Sequence, residues 1–297
     1  MQECKRTIVA IAERLVKPVA LNITRGIIPS AQKVILYGVE GIGKSTLASK
    51  FPDPLFIDTE GSTKHMDVAR LAAPKSWSEL LQQIASVKAE RPCKTLVVDT
   101  IDWAERLAAS HIVAGAENAK IRSIEDFGYG TGYTKLVEEF SRMLDRLSDV
   151  ADAGINVVLV AHADIRKFEQ PEEVSSYDRW ELKLSKSGQK KVAPVVKEWA
   201  DAVLFLNYET VVESVSSGMG ASKGKARGGQ KRAMYCTHNA CWDAKNRWGL
   251  PDKVPMEYEQ IAEHIPADLG SAAPAADPVE ATGGSGISAA MARAAEA

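Results

Sequence analysis

The segment Gly38-Val39-Glu40-Gly41-Ile42-Gly43-Lys44-Ser45 constrains the fold of this chain more than any other stretch. It follows the apolar run Val34-Ile35-Leu36-Tyr37 and precedes the helix-forming residues Thr46-Leu47-Ala48. The spacing matches G-x-x-x-x-G-K-[ST], in which glycines let backbone N–H groups converge on phosphate oxygens at a helix start. A β-rich run before the loop and a helix after it predict an α/β domain that binds a nucleoside triphosphate.

Each residue type in this P-loop has a chemical task. Lys44 is expected to bridge the β- and γ-phosphates, and the Ser45 hydroxyl is expected to bind Mg²⁺. A chance glycine turn is the alternative, and the flanking strand and helix argue against it. ATP and Mg²⁺ are therefore the predicted cofactors, and the predicted nucleotide contacts are Gly38, Val39, Glu40, Gly41, Ile42, Gly43, Lys44, Ser45 and Thr46.

Two further apolar runs end in acids. Leu55 to Glu60 and Thr95 to Asp99 are both predicted to be buried strands. Because open α/β sheets bind ligands outside the carboxyl ends of their strands, we expect Asp58 and Glu60 near the γ-phosphate. Asp99 is expected to hold the water shell of Mg²⁺ opposite Ser45. Glu60 is the candidate for orienting and deprotonating the attacking water, with a solvated loop acid as the alternative.

The remaining pattern predicts a mostly parallel sheet flanked by helices. Apolar spacing predicts helices over 77–90, 102–116 and 133–151, and strands over 156–161, ending at His162, and 202–206. The polar composition of residues 163–194 predicts a long loop. Two apolar runs, 211–215 and 232–236, predict an antiparallel hairpin around a glycine-rich basic turn. The expected organisation is an N-terminal helix and arm (1–32), an ATPase domain (33–265) with a short helix near 257–265, and a disordered tail (266–297).

Three segments carry residue types that suit unpaired nucleic acid. Between residues 117 and 132 glycines separate aromatic residues, so Tyr129 is a candidate for stacking on a base, whereas inward packing of Tyr133 is the alternative. Since the net charge is −2, any binding of nucleic acid requires a local basic patch. The candidate phosphate contacts are Lys183, Lys186, Lys190, Lys191, Lys223, Lys225 and Arg227, and an exposed solvated loop is the alternative for the last three.

Composition narrows the class of protein. With 45% hydrophobic and 26% charged residues, the chain fits a globular protein with a substantial core. No run reaches the ~18 apolar residues of a membrane helix, the start lacks a secretory pattern, and the four cysteines indicate no disulfide framework, so a cytoplasmic protein is expected. Cys236, His238 and Cys241 lack a fourth ligand, which favours a strand and turn with thiols over a zinc site.

The order of these elements resembles the RecA-like ATPases, and most of all the phage-encoded RecA-like proteins proposed to bind and anneal single-stranded DNA. The blocks 56–61 and 242–247 are the most distinctive parts of a similarity that spans about 33–265, although Val39 stands where RecA has proline. The resemblance implies that Glu60 is the catalytic glutamate and that His162 senses the γ-phosphate. It also places DNA-binding loops near 118–132 and 164–192.

Lys245 and Arg247 lie two residues apart on a segment expected to be extended, so both should point to one face. By the same resemblance they match a basic pair that reaches the nucleotide of the next subunit, as an arginine finger does. A surface strip of ion pairs is the alternative. The resemblance therefore implies a homo-oligomer, either a ring or a filament, with shared sites.

Together these features predict a Mg²⁺-dependent ATPase, stimulated by single-stranded DNA, that acts in phage recombination or replication in the host cytoplasm. A single-strand-binding or replication protein is a further candidate partner. No separate DNA-binding domain is visible, a departure from RecA that argues against strand exchange on duplex DNA and leaves annealing and exchange as alternatives. The alternatives are a nucleotide-gated loader that hydrolyses little ATP and, less favoured by the basic hairpin, a small-molecule P-loop kinase.

Overall fold

A computed structural model of the chain describes residues 23–169, 176–185, 191–217 and 221–269, with side chains at all of these except 210–217 and 221–228. Residues 1–22 of the predicted N-terminal helix and arm, residues 270–297 of the predicted tail, and the candidate DNA contacts Lys186 and Lys190 fall outside these ranges. Contacts divide the chain into a unit of residues 29–272 and a second unit of the two ends. Of the second unit, residues 23–28 are described; they are exposed and form no helix or strand.

A mixed sheet organises the larger unit, with the strand that enters the P-loop near its centre. The order across the sheet is β3-β2-β4-β5-β1-β7-β8-β9, and β6 pairs with β5. The strands are β1 (Lys33–Gly38), β2 (Pro54–Asp58), β3 (Ala69–Arg70), β4 (Thr95–Asp99), β5 (Asn156–Phe168), β6 (Tyr177–Leu182), β7 (Ala202–Ser217), β8 (Ala221–Tyr235) and β9 (Lys253–Pro255).

Pairing is parallel from β3 through β7 along this order, and antiparallel for β7–β8, β8–β9 and β5–β6. The strand β4 is almost continuously apolar and buried, as expected for a parallel strand covered on both faces. The predicted fold class, a mostly parallel α/β sheet flanked by helices around a P-loop and followed by an antiparallel hairpin, is confirmed.

Helices cover the sheet and separate two cores. The helices are α1 (Lys44–Ala48), α2 (Trp77–Glu90), α3 (Ile101–Ala114), α4 (Thr131–Asp152) and α5 (Val192–Trp199). Along β1 the side chains alternate: Ile35 and Tyr37 join a core with α2, α3, α4 and α5, whereas Val34 and Leu36 join a core with α1 and the C-terminal strands. The helix α4 buries the predicted apolar stripe, which includes Phe140 and Leu147.

Two strands are longer than the sequence predicts. β5 continues past His162 to Phe168 and pairs with β6, so residues 163–194 include a hairpin rather than one long loop. Residues 163–168 of β5 extend past the carboxyl edge of the main sheet and pair with β6 alone. Their side chains are largely exposed, which explains why this part of the strand lacks apolar periodicity. Similarly, β7 joins the two strands predicted over 202–206 and 211–215 into one.

The basic stretch predicted as a hairpin turn is part of a strand. Lys223, Lys225 and Arg227 lie in β8 and pair with positions 215, 213 and 211 of β7. Glycines at 224, 228 and 229 favour a turn locally, but the ladder of backbone hydrogen bonds with β7 decides the conformation. The helix predicted near 257–265 is likewise replaced by two single 3₁₀ turns, Tyr258–Gln260 and Ala262–His264.

The glycine-rich aromatic segment is partly packed. It contains short 3₁₀ turns at Ile124–Asp126 and Gly128–Gly130 before α4 begins. A Cβ atom on Gly132 would lie 2.2 Å from the Ile124 carbonyl oxygen, so this glycine permits close packing rather than mobility. Among the residues that the structure describes, no helix is both long enough and apolar enough to span a membrane.

Candidate nucleotide-binding site

The P-loop connects β1 to α1 at the carboxyl edge of the sheet. Gly41 and Gly43 have φ angles of +72° and +104°, a backbone conformation that residues with a Cβ atom rarely adopt. Gly43 also caps α1, so the free N–H groups of the first helical turn face the loop. The local sequence therefore builds the anion-binding cradle that its spacing predicts.

Lys44 lies almost buried at the base of this cradle, with 7% of its surface exposed. Its ammonium group donates to the carbonyl oxygens of Gly38 at 3.1 Å and Val39 at 3.0 Å. Burial lowers the pKa of Lys44, and the nearby carboxylates of Asp99 and Asp102 act in the opposite direction. Carbonyl groups satisfy the N–H bonds without neutralising the charge, so the cation remains available to phosphate.

Ser45 and Asp99 meet as the sequence predicts. The Ser45 hydroxyl donates to Asp99 Oδ2 at 2.5 Å, and the peptide bond between Asp99 and Thr100 is cis. Asp99 is 1% exposed, and burial raises the pKa of its carboxyl to about 6. A buried carboxylate beside a hydroxyl supplies the hard oxygen ligands that Mg²⁺ prefers, so these two residues fit Mg²⁺.

Asp58 shapes the turn that presents Glu60. Its carboxylate accepts the backbone N–H groups of Gly61 at 2.6 Å and Thr63 at 2.9 Å, together with the Thr63 hydroxyl at 2.6 Å. Burial alone would raise the pKa of Asp58, but these hydrogen bonds hold it below its ordinary value. Asp58 is thus committed to the loop, whereas the Glu60 side chain is 28% exposed and free of such bonds.

His162 lies between Glu60 and a carboxylate that the sequence analysis did not identify. Asp102, in the first turn of α3, accepts the His162 backbone N–H at 3.2 Å and contacts its Nδ1 at 2.8 Å. The opposite ring nitrogen, Nε2, lies 4.0 Å from Glu60 Oε2. The sole sequence signal for Asp102 is its position as an acid in a first helical turn, which is common and unspecific.

These groups line one cavity of about 500 Å³. It contains residues from the P-loop, the turn after β2, the end of β4 and β5, and it brings together Glu40, Gly41, Gly43, Lys44, Ser45, Thr46, Glu60, Asp99 and His162. Chemically, the cavity combines a cation, a magnesium-ligand pair and a carboxylate with an imidazole beside it. That combination can bind a triphosphate and activate a water molecule.

The hairpin reaches the outer side of the P-loop, which the sequence analysis also missed. Arg232 of β8 donates to the Ile42 carbonyl oxygen at 3.2 Å, and a Cβ atom on Gly43 would lie 3.0 Å from the same guanidinium. Tyr208 of β7 donates to the Gly41 carbonyl oxygen at 3.5 Å. These contacts join residues far apart in the chain, so no local pattern marks them.

Lys245 and Arg247 have partners within their own chain. The Lys245 ammonium donates to the carbonyl oxygens of Lys197 at 2.7 Å and Glu198 at 3.3 Å, at the end of α5. The Arg247 guanidinium pairs with Asp201 at 2.8 Å and remains 63% exposed. The backbone of Lys245 forms an isolated bridge with Val203. Their predicted role toward a neighbouring subunit stays a prediction.

Three candidate DNA contacts outside β8 have described side chains: Tyr129 precedes α4, Lys183 follows β6, and Lys191 precedes α5. Tyr129 is fully exposed at φ +58°, while Tyr133 packs partly against the core and its hydroxyl donates to Glu125 at 2.7 Å. Lys183 and Lys191 flank residues 186–190. The structure thus realises the inward packing of Tyr133 and leaves Tyr129 available, and binding of DNA by these residues stays a prediction.

Cys236, His238 and Cys241 do not form a metal site among the residues described. Cys236 is buried, whereas Cys241 and His238 are exposed, and no described group of three or more histidine, cysteine or acidic side chains is arranged for a metal. The His238 ring instead lies 3.2 Å from the guanidinium of Arg179, which pairs with Asp243. Cys236 follows β8 and is buried as the strand-and-turn interpretation predicts, whereas Cys241 is exposed.

Comparison with known proteins adds a family to this geometry. No curated protein sequence matches the chain. Among solved structures 199 chains match, and one of them is the KaiC-like protein PH0186 from the hyperthermophilic archaeon Pyrococcus horikoshii OT3. That match has 14% sequence identity and a TM-score of 0.37, and covers 76% of this chain and 85% of that chain. The family model for the AAA domain, AAA_24, matches residues 30–248. Since this match spans most of the chain and contains the whole nucleotide site, the protein belongs to the AAA domain family of P-loop ATPases.

Proposed function

We propose that this AAA domain hydrolyses ATP with Mg²⁺, that single-stranded DNA binds to it and stimulates hydrolysis, and that it acts in phage recombination or replication. The observation that carries the proposal is the single cavity in which Lys44, the Ser45–Asp99 pair and Glu60 converge. A binding module without hydrolysis has no need for an exposed carboxylate and an oriented imidazole in front of its phosphate cradle.

The residues of the cavity divide the work of hydrolysis. Lys44 and the P-loop amides bind and orient the β- and γ-phosphates. Ser45 and Asp99 would hold Mg²⁺, which when bound neutralises charge that develops on the phosphate oxygens. Glu60 orients the attacking water and takes its proton, because its carboxylate is partly exposed and has no committed hydrogen bond, whereas Asp99 is buried and bonded to Ser45.

Contacts around His162 support the proposed stimulation by DNA. The Lys183 backbone N–H donates to the His162 carbonyl oxygen at 2.9 Å, and the Ser185 N–H donates to Glu105 at 2.8 Å. Glu105 is on α3, one turn beyond Asp102, which contacts the His162 ring. The lysine-rich segment that begins at residue 183 is therefore attached directly to a residue of the nucleotide cavity.

The further parts of the proposal rest on the sequence resemblance. Blocks 56–61 and 242–247 support the assignment to phage recombination or replication. The pair Lys245 and Arg247 supports a ring or filament, in which one subunit would complete the nucleotide site of the next. A single-strand-binding or replication protein of the phage is the further partner that this role implies.

The deciding experiment measures ATP turnover with and without oligo(dT), using Lys44→Ala protein as the blank. We expect turnover that DNA increases, and no effect of duplex DNA at equal concentration. Turnover near the blank in both conditions, combined with nucleotide-dependent DNA binding, would favour the loader. A phosphorylated metabolite in a substrate screen would favour the small-molecule kinase instead.

The affinity for DNA should fall as the salt concentration rises, because binding is driven by the release of cations condensed on the DNA phosphates. Changing Lys223, Lys225 and Arg227 together to alanine should reduce the slope of log K against log salt by up to about 3. The matched control changes Lys75, Lys88 and Lys94, which lie around α2, and should leave the slope unchanged. Equal slopes for the two triple variants would exclude β8 from the DNA contact.

A further inference from the structure

Asp102 is a nearly buried acid that the predicted chemistry leaves without a role. It is 8% exposed, and each of its carboxylate oxygens is used: Oδ1 accepts the His162 backbone N–H, and Oδ2 contacts His162 Nδ1 at 2.8 Å. Asp102 thus contacts both the backbone and the imidazole ring of His162. The His162 side chain, 12% exposed, is therefore fixed in one orientation.

This arrangement determines which ring nitrogen carries a proton. An ionised carboxylate can only accept hydrogen bonds, and although burial alone would raise the pKa of Asp102, the bonds and charge from His162 hold it below its ordinary value. Nδ1 must then be the donor. In a neutral imidazole the lone pair is consequently on Nε2, the nitrogen that faces Glu60 at 4.0 Å and lines the cavity.

We propose that Asp102 is a positioning residue for ATP hydrolysis, which holds His162 as the Nδ1–H tautomer so that its Nε2 accepts the proton of the attacking water from Glu60. This inference rests on the proposed ATPase function and goes beyond it by assigning the path of the proton. The role predicted for His162 from the resemblance was to sense the γ-phosphate; the geometry adds that of a proton acceptor.

In the proposed step, the γ-phosphoryl group of ATP is transferred to water. The water oxygen forms a bond with the γ-phosphorus, the bond between that phosphorus and the β–γ bridging oxygen breaks, and the bridging oxygen leaves on ADP. The water proton passes to the Glu60 carboxylate and then to His162 Nε2, which becomes imidazolium beside the anionic Asp102. A rotation of the partly exposed Glu60 side chain closes the 4.0 Å separation to hydrogen-bond distance.

The first test measures the tautomer in nucleotide-free protein by ¹⁵N NMR of labelled histidines at about pH 8, above the range where an ordinary imidazole is charged. Single changes of His65, His111, His238 and His264 to glutamine assign the His162 signals by elimination among the five histidines. We expect a protonated Nδ1 and a bare Nε2 in the wild type. A protonated Nε2 with a bare Nδ1 would overturn the proposal, and no substitution of Asp102 is needed for this result.

The second test uses Asp102→Asn, whose amide N–H can donate to Nδ1 and thereby favour the opposite tautomer. We expect kcat to fall by roughly 10-fold or more while KM for ATP changes by less than about 2-fold, since the phosphate cradle is intact. Asp149→Asn makes the same chemical change at an exposed partner of Lys88 and should match the wild type.

The outcomes separate this inference from the function on which it rests. A wild-type protein that hydrolyses ATP while Asp102→Asn keeps the same kcat would contradict only the role of Asp102. A wild type that binds ATP without turnover would contradict the proposed ATPase function, and the tautomer measurement would still be valid because it requires no nucleotide. An Asp102→Asn protein with reduced kcat and an unchanged His162 tautomer would also overturn the proposal.

Discussion

Two lysines of this protein are held in the same way in different surroundings. Lys44 donates to two backbone carbonyls of its own loop, and Lys245 donates to two backbone carbonyls at the end of α5. Burial is the first cause that lowers the pKa of each. In both cases carbonyl oxygens accept the hydrogen bonds of the ammonium group, so the difference between the two sites lies in the charges around each lysine.

The charges around the two lysines differ. Asp99, Asp102 and Glu60 surround Lys44, and they hold the cation in its charged form. The neighbouring charge with the largest effect on the pKa of Lys245 is another cation, Arg247, which lowers it further. Lys44 therefore lies among carboxylates of its own chain, whereas Lys245 has a second cation beside it, so an anion from a neighbouring subunit would stabilise the pair of Lys245 and Arg247.

The largest expected effect tests the first half of this comparison. Lys44→Ala should abolish nucleotide binding or hydrolysis, because it removes the charge that compensates the β- and γ-phosphates, a loss on the order of several kcal/mol. Binding of a fluorescent ATP analogue and phosphate release measure the two losses. Lys50→Ala, at an exposed position after α1, is the control and should behave as wild type. Undiminished turnover would remove the P-loop from the mechanism.

The next effect isolates the acid of the cavity. Glu60→Gln should bind ATP normally, because Lys44 and the loop amides are unchanged, while hydrolysis falls by ~10²-fold or more. Separate measurements of analogue affinity and of single-turnover hydrolysis distinguish the two quantities. The exposed Glu90→Gln provides a matched control. Parallel loss of binding and turnover would show instead that Glu60 maintains the structure of the loop.

An intermediate effect tests the second half of the comparison. Lys44→Ala protein and Lys245→Ala/Arg247→Ala protein, each expected to be inactive alone, should regain part of the wild-type ATPase activity when mixed, because some assemblies then contain an intact shared site. A chain with all three changes cannot complement Lys44→Ala and serves as the control. No regained activity, or a fully active dilute monomer of the wild type, would make Lys245 and Arg247 a surface ion-pair strip.

The smallest effect measures what a buried carboxylate near the cavity does to stability. Burial raises the pKa of Glu105 from 4.5 to about 7. The folded state therefore binds more protons than the unfolded state between these values, and stability falls as pH rises through this window. Glu105→Gln should remove that loss, so its advantage over wild type should grow to on the order of 2 to 3 kcal/mol above the window.

Urea unfolding at a series of pH values measures the Glu105 effect, with the exposed Glu90→Gln measured in parallel as a control for the chemical change. The Ser185 N–H donates to the Glu105 carboxylate, and glutamine is a weaker acceptor than an ionised carboxylate. The loss of this stronger hydrogen bond partly offsets the gain in stability of Glu105→Gln at every pH at which Glu105 is ionised. A constant difference between Glu105→Gln and wild type across the series would contradict the pKa assigned to this carboxyl.

Sequence reasoning succeeded where chemistry follows from spacing along the chain. The meeting of Ser45 with Asp99 was predictable, because the P-loop helix starts at the edge where neighbouring parallel strands end. Asp102 was not predictable, because its partner His162 lies 60 residues away and a first-turn acid has many uses. The basic part of β8 was misassigned for a different reason: its glycines indicate a turn, but its backbone pairing with the preceding strand β7 overrides them.

The first glycine of the P-loop has a different duty from the last. Gly38 pairs with Leu206 of β7, and a Cβ atom on it would lie 2.2 Å from the Leu206 carbonyl oxygen. Glycine at position 38 is thus required by the close approach of β1 and β7, whereas Gly43 and Lys44 are required for binding phosphate. A related protein that no longer bound nucleotide would still need glycine at position 38 as long as it kept this sheet. A glycine at that position of the motif therefore indicates the fold and does not indicate activity.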